Sequence, residues 1–168
     1  MKQALRVGDG MPDNKFYTLK GYALLEGNAI TYSMEDYLEM IYRIHVSGEA
    51  VRVGALAYRL NVKPSSATKM VANLKKEGLV ASEKYGYIKL TNTGLELGKY
   101  LVYRHDILHR FLCYINQSCD ELEQVEKIEH FINPETIGNI SKFLDMATNK
   151  TLENPAKPCQ NGAYFSDE

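Results

Sequence analysis

Apolar residues recur at helical spacing from residue 33 onward. Leu38, Ile41, Tyr42 and Ile44 share one face of a helix expected to open at Ser33 and to run to about Ser47–Gly48. The Ser33 hydroxyl suits a first-turn backbone N–H, and Asp36 follows three residues later in a capping-box-like arrangement. Arg52 to Glu77 reads as two helices around a tight turn. Ala55, Leu56, Ala57 and Leu60 face inward on the first, Asn61-Val62 turns the chain, and Pro64 stands where a first helical turn tolerates proline. Ala67, Met70, Val71 and Leu74 are the inward face of the second, which Gly78 stops. Two short alternating segments within 79–91 flank Tyr85-Gly86 and predict a hairpin. Helix, helix, helix, hairpin is the order of a winged helix.

A longer helix, capped by Thr93, is predicted from about Gly94 to Tyr114, with Leu97, Leu101, Ile107, Leu108, Phe111 and Leu112 as its stripe. Another is expected over Glu121–Ile132 and a last over Glu135–Ala147, separated by Asn133-Pro134. The fold class is therefore mainly α. An extension (1–32) precedes a winged helix-turn-helix DNA-binding domain (33–98), a second helical domain (99–148) and a disordered tail (149–168). Within the extension, residues 16–32 are expected to form a short packed helix.

Composition narrows the class. With 168 residues, 45% hydrophobic and 24% charged, the chain can build a real core and has no apolar run long enough to span a membrane. Its first residues lack the apolar stretch of a secretion signal, so a cytoplasmic location is expected. Cys113, Cys119 and Cys159 show no CxxC spacing, which fits a reducing compartment better than a disulfide framework. The net charge of −1 conceals an asymmetry: residues 51–110 carry 11 Lys/Arg against 4 Asp/Glu, and residues 111–168 carry 4 against 10. A basic middle beside an acidic end suits a DNA-binding segment next to a cation site.

In a helix-turn-helix the second helix enters the major groove and reads bases near its N-terminus. Here that end presents Ser65, Ser66, Thr68 and Lys69, and Lys69 and Lys75 suit phosphates. Lys84, Tyr85 and Lys89 on the wing would reach the backbone or minor groove. Winged helices also serve as protein–protein modules; the basic charge of this segment favours double-stranded DNA.

Three groups of side chains suit a metal. Asp36 and Glu39 stand three apart on one helix, His105 lies in the middle of the long one, and Glu126, Glu129 and His130 share a face at i, i+3, i+4. Each group alone also fits a solvated helix face. Together they offer four carboxylates, two imidazoles and no sulfur, a hard donor set that suits Mn²⁺, although affinity order alone favours Zn²⁺ and Cu²⁺.

The segments Ser33-Met34-Glu35-Asp36-Tyr37-Leu38-Glu39, Pro64-Ser65-Ser66-Ala67-Thr68-Lys69-Met70-Val71, Leu101-Val102-Tyr103-Arg104-His105 and Val125-Glu126-Lys127-Ile128-Glu129-His130 carry a further signal. In order and register they resemble the manganese transport regulator branch of the diphtheria toxin repressor family. The resemblance implies a homodimeric, metal-activated repressor of metal-uptake genes that binds a palindromic operator, with residues 99–148 as the helical metal-binding and dimerisation domain. It implies two Mn²⁺ per subunit, one held by Asp36, Glu126, Glu129 and His130. Glu39 and His105 would hold the other, with Glu126 and Glu129 bridging. The iron-responding branch has Met at the position of Asp36 and Cys at that of Glu126. This chain has oxygen donors at both, although Fe²⁺, Zn²⁺ or Co²⁺ also fit such sites. His109 stands where the family commonly has a carboxylate and is read as a surface residue; His45 is read as structural. The alternatives are an iron- or zinc-responsive regulator of the same fold, a metal-independent winged-helix regulator and a dinuclear metallohydrolase. The last would need a substrate pocket and an unshared general base. Neither is evident, so no enzyme, organic substrate or membrane partner is expected.

Overall fold

The computed structural model describes residues 30–82 and 86–151. Six α-helices and a two-stranded sheet follow one another among them: α1 (Tyr32–Val46), α2 (Val53–Arg59), α3 (Pro64–Lys76), β1 (Val80–Ser82), β2 (Ile88–Leu90), α4 (Asn92–Asn116), α5 (Leu122–Ile128) and α6 (Pro134–Thr151). A 3₁₀ turn, Glu129–Phe131, continues α5. The expected helix within 16–32 lies outside the described residues, apart from Ile30 and Thr31, which are not helical, and Tyr32, which opens α1.

Helix starts depart from the expected caps by one or two residues. Thr31, in extended conformation, caps α1 by accepting a hydrogen bond from Met34 N at 3.4 Å, so Ser33 lies inside the first turn rather than capping it. At the start of α4 the cap is Thr91, not Thr93. Its hydroxyl accepts from Gly94 N (3.1 Å) and donates to Gly78 O (2.7 Å), which ties the helix to the end of α3. Asn133 Oδ1 accepts from Thr136 N at 2.8 Å, so α6 begins at Pro134 in the position proline favours. At its far end α6 reaches Thr151, so residues 149–151 are helical rather than part of a tail. The single helix expected over Glu121–Ile132 is an α-helix that tightens to 3₁₀ at Glu129, before extended Ile132 and Asn133-Pro134 end it.

Strands β1 and β2 pair antiparallel with Val80 opposite Leu90, and Arg52 bridges Tyr87 on the other side of the hairpin. Asn61 takes the left-handed conformation the α2–α3 turn needs (φ 52°). One core fills the winged helix: Leu38, Ile41 and Ile44 of α1 meet Leu56, Leu74, Ile88 and Leu101. A second joins Ile107, Leu108 and Leu112 of α4 to Val125, Ile137 and Leu144. Helix α4 is the spine of both, and the stretch between its two buried apolar segments carries Arg104 and His105, also buried. Polar side chains at the seam of two cores are what must find partners there.

Cys113 is a free thiol. His45 is exposed in the last turn of α1, and His109 is half-buried, its Nε2 accepting from Glu121 N at 3.4 Å.

Candidate metal centre

Helix α1, the middle of α4 and the α5–3₁₀ segment converge on the seam, and all six candidate ligands come to it. Two groups of side chains place ligand atoms within 4.8 Å of one another: Asp36, Glu129 and His130, and Glu39, His105 and Glu129. Glu129 belongs to both, and it is 1% exposed. A fully buried carboxylate costs several kcal/mol unless it is paired, so its neighbours define its role. His105 Nδ1 stands 3.1 Å from Glu129 Oε2, and Arg104 Nη2 stands 3.8 Å from Glu129 Oε1.

The first group centres on His130. Its Nε2 lies 2.9 Å from Asp36 Oδ1 and 3.8 Å from Glu129 Oε1. The Asp36 oxygen is buried and has no aligned hydrogen bond, despite the short approach of the ring nitrogen. A buried carboxylate oxygen facing an imidazole nitrogen without a directed bond is the arrangement a cation would complete. On the other side of the ring, Nδ1 lies 2.8 Å from Glu35 Oε2, which also accepts from Arg104 Nη1 at 2.9 Å. Because a carboxylate offers only lone pairs, Nδ1 carries a proton and Nε2 is the nitrogen turned to Asp36. Tyr32 stacks on the His130 ring, 5.1 Å between centroids.

The second group centres on His105. Three carboxylates surround its Nδ1: Glu129 at 3.1 Å, Glu39 at 3.9 Å and Glu126 at 3.9 Å. Glu126 belongs to neither close group, and its side chain is 60% exposed. It stands at the rim, within a rotation of the others.

Crowded carboxylates leave their mark on the protons. Burial acts to lower the His130 pKa, but the close carboxylates of Asp36 and Glu35 outweigh it and raise it to about 9. Burial opposes the charged form of His105 as well, yet Glu129 and Glu39 raise it above the ordinary value. Desolvation raises Glu39, helped by Glu129 and resisted by Arg43. Glu126 is raised by desolvation and then by Glu129. Glu35 moves the other way: burial would raise it, but His130 and Arg104 hold it low. Excess negative charge is being met by protons and arginines, and a divalent cation is a natural replacement for them. The hard, sulfur-free donor set and the unsatisfied Asp36 oxygen fit such an ion.

Glu35 and Arg104 were absent from the sequence-based list. Arg104 was detectable, because it interrupts the apolar run Leu97, Leu101, Leu108 at helical spacing, and a charge on a buried face requires a partner. Glu35 had no comparable mark.

The DNA-reading candidates lie on a different surface. Ser65, Ser66, Thr68, Lys69 and Lys75 are exposed on the face of α3 opposite buried Ala67, Val71 and Leu74, and Lys89 is exposed on β2. The Thr68 hydroxyl donates to Pro64 O at 2.9 Å. Lys84 and Tyr85 lie outside the described residues. Asp36, Ser66, Lys69 and Asn73 line one open groove of ≈ 480 Å³ between α1 and α3, so the centre and the reader border the same space.

Residues 29–88 match the family model for the N-terminal DNA-binding domain of iron dependent repressors, and residues 91–156 match that for their metal binding and dimerisation domain. The HTH-type transcriptional regulator MntR of Bacillus velezensis is 38% identical over 137 residues, 78% of this chain and 96% of that regulator. Among solved structures, the manganese regulator SloR superposes with a TM-score of 0.60 at 30% identity, over 67% of this chain and 53% of that one. A manganese-dependent transcriptional repressor in complex with manganese gives 0.61 at 27% identity, over 67% of this chain and 52% of that one. This chain thus spans about half the length of those two solved proteins, and nearly all of the Bacillus regulator.

Proposed function

The chain belongs to the iron dependent repressor family and is a metal-dependent transcriptional repressor with a DNA-binding and a dimerisation domain, and we propose that Mn²⁺ is its effector. Two ions per subunit fit the two ligand groups. Asp36, Glu129 and His130 would hold one and Glu39, His105 and Glu129 the other, with Glu126 turning in from the rim to join them. Four carboxylates and two imidazoles without sulfur favour Mn²⁺ over softer ions. The relatives named for manganese support the same choice.

A bound divalent cation supplies the positive charge that lets these carboxylates lie together. The chain's own residues give that charge its consequence. Asp36 and Glu39 belong to α1, which packs on the reader; Glu129 and His130 belong to the segment packed on the second core. Glu129, common to both groups, joins them. Drawing the sites together sets the winged helix against the dimerisation body, and two copies then present α3 at the spacing of a palindromic operator. Tyr114, Phe143 and Met146 leave an exposed apolar patch near the ends of α4 and α6, which a second subunit would cover. By linkage, whatever the ions add to DNA affinity, DNA adds to ion affinity; about 1–3 kcal/mol is ordinary for such coupling. Genes for metal uptake are the fitting targets, and a repressor of genes works in the cytoplasm.

The observation that carries the reading is the sharing of buried Glu129 by two ligand groups whose other members come from opposite sides of the seam. The test is fluorescence anisotropy of a labelled fragment from the chain's own or a neighbouring metal-transporter promoter, titrated with protein without metal and with Mn²⁺, Fe²⁺ or Zn²⁺. Tight binding with Mn²⁺ and weak binding without it is the expected result. Binding indifferent to every metal would overturn it.

A further inference from the structure

One arginine sits directly on a candidate ligand atom. Arg43 lies one turn after Glu39 on α1; its Nε donates to Glu39 Oε1 at 2.9 Å, and its Nη2 forms an ion pair with the same oxygen at 2.8 Å. The same Nη2 is 3.8 Å from Asp106 Oδ1, on the residue next to His105, so the guanidinium is held from two helices. Its side chain is only 25% exposed and Glu39 only 10%, which limits screening of the pair by water. Arg104 makes the contrast. It reaches the centre from outside, through Glu35 and the Nδ1 edge of His130, and leaves the nitrogen facing Asp36 free of it.

A guanidinium does not lose its proton under working conditions, so Arg43 is a permanent unit charge beside one of the two ligand groups. Its Nε–H occupies a lone pair of an oxygen that an incoming ion would use, and its charge, held 2.8 Å from that oxygen, repels the ion at close range. Among the described residues no arginine or lysine is paired with Asp36; its close neighbour is His130, at 2.9 Å, which can give up its proton to an ion as a guanidinium cannot. We propose that Arg43 is a built-in competitor for the second ion, which weakens the Glu39–His105–Glu129 group relative to Asp36–Glu129–His130 and makes the two fill in order. The inference rests on the two-ion reading above. Its consequence is a graded sensor: one ion binds at low metal, and the second, which must displace the guanidinium from Glu39, binds only when metal is plentiful.

The test is Mn²⁺ binding to the full chain by calorimetry, with free Mn²⁺ counted by electron paramagnetic resonance. Running it at pH 8 keeps a proton on Glu39 from standing in for a missing guanidinium. Arg43→Met and Arg43→Gln remove the charge, and Arg43→Lys keeps it. Either neutral variant suffices if the other fails to fold. The expected result is two unequal ions in the native chain, a second ion that tightens about tenfold in the neutral variants, and a first ion that does not move. Arg43→Lys should keep the native gap. A second-ion affinity that is unchanged or weaker in both neutral variants would overturn the proposal, as would an equal gain at both ions. If the native chain binds no Mn²⁺ at all, the metal-centre reading falls first and takes this inference with it.

Discussion

Glu35 and His130, 95 positions apart in sequence, meet at 2.8 Å through Oε2 and Nδ1. The contact joins the first turn of α1 to the 3₁₀ turn after α5, and Arg104 from α4 closes it at 2.9 Å. Partners of this kind orient a ligating imidazole and decide which nitrogen it offers; their loss typically costs about 10–100-fold in metal affinity. Glu35→Gln keeps the size of the side chain but weakens its hold on Nδ1–H, so the first Mn²⁺ should bind about tenfold more weakly in calorimetry. The nitrogen-15 shifts of the His130 ring in the metal-free protein should show a changed proton distribution. Unchanged shifts and affinity would make Glu35 a bystander.

Proton linkage follows from the same ring. His130 is raised from 6.5 to about 9, chiefly by Asp36 and Glu35 acting against burial. A raised folded-state value stabilises the metal-free fold fully below about pH 6.5, and this contribution fades as pH rises through about 9. A ligand nitrogen must be unprotonated, so metal binding expels that proton. Mn²⁺ affinity should therefore climb with pH between 7 and 9, and calorimetry in buffers of different ionisation heat should reveal net proton release near pH 7. A flat profile across that window would mean His130 Nε2 gives up no proton to the ion.

Much of this was legible from spacing. Leu38, Ile41 and Ile44 announced α1, and Leu101 with Leu108 announced α4, because burial of one face imposes helical periodicity. The three ligand groups were visible at i, i+3 and i+4. Their meeting was not visible, because convergence of α1, α4 and α5 depends on how two cores share one helix. Caps were misplaced by a residue or two: Thr91 and Thr93 are chemically equal candidates, and only the carbonyl of Gly78 within reach of Thr91 separates them. Arg43 pairing with Glu39 fits an ordinary surface i,i+4 pair, and the burial of Glu39 is what gives it consequence.

Close packing at α4 predicts an asymmetry between two glycines. A Cβ on Gly94 would lie 1.9 Å from Leu79 O, a backbone atom that already accepts from Thr91 N at 3.1 Å. Gly94→Ala should cost roughly 1–3 kcal/mol in urea unfolding, since overpacking outweighs the helix propensity gained. A Cβ on Gly138 in α6 meets nothing within 4 Å. Gly138→Ala should therefore be neutral or stabilise by up to about 1 kcal/mol. Equal effects at both sites would contradict the α3–β1–α4 junction described above.

On the DNA face, Lys69 is exposed on α3 and lines the groove shared with Asp36. As a phosphate contact, Lys69→Ala should weaken operator binding and reduce the slope of log affinity against log salt by about one. Mn²⁺ affinity without DNA should stay as it is. A loss of metal binding instead would move Lys69 from the reader to the centre.

The sharpest distinction within the centre is between Glu129 and Glu126. Glu129 is enclosed, touches His105 at 3.1 Å and faces Arg104, and it belongs to both ligand groups. Glu126 stands at the rim, 3.9 Å from His105 Nδ1 with most of its side chain in water. Glu129→Gln keeps the shape but removes the charge both groups share, so both Mn²⁺ ions should be lost in equilibrium dialysis while circular dichroism shows the helices intact. Glu126→Gln should weaken binding by about tenfold without abolishing either ion, since an exposed carboxylate must give up water and rotamer freedom to join. If the two variants lose metal equally, Glu126 swings fully inward on binding and bridges as Glu129 does. The centre would then be assembled by the ions rather than waiting for them.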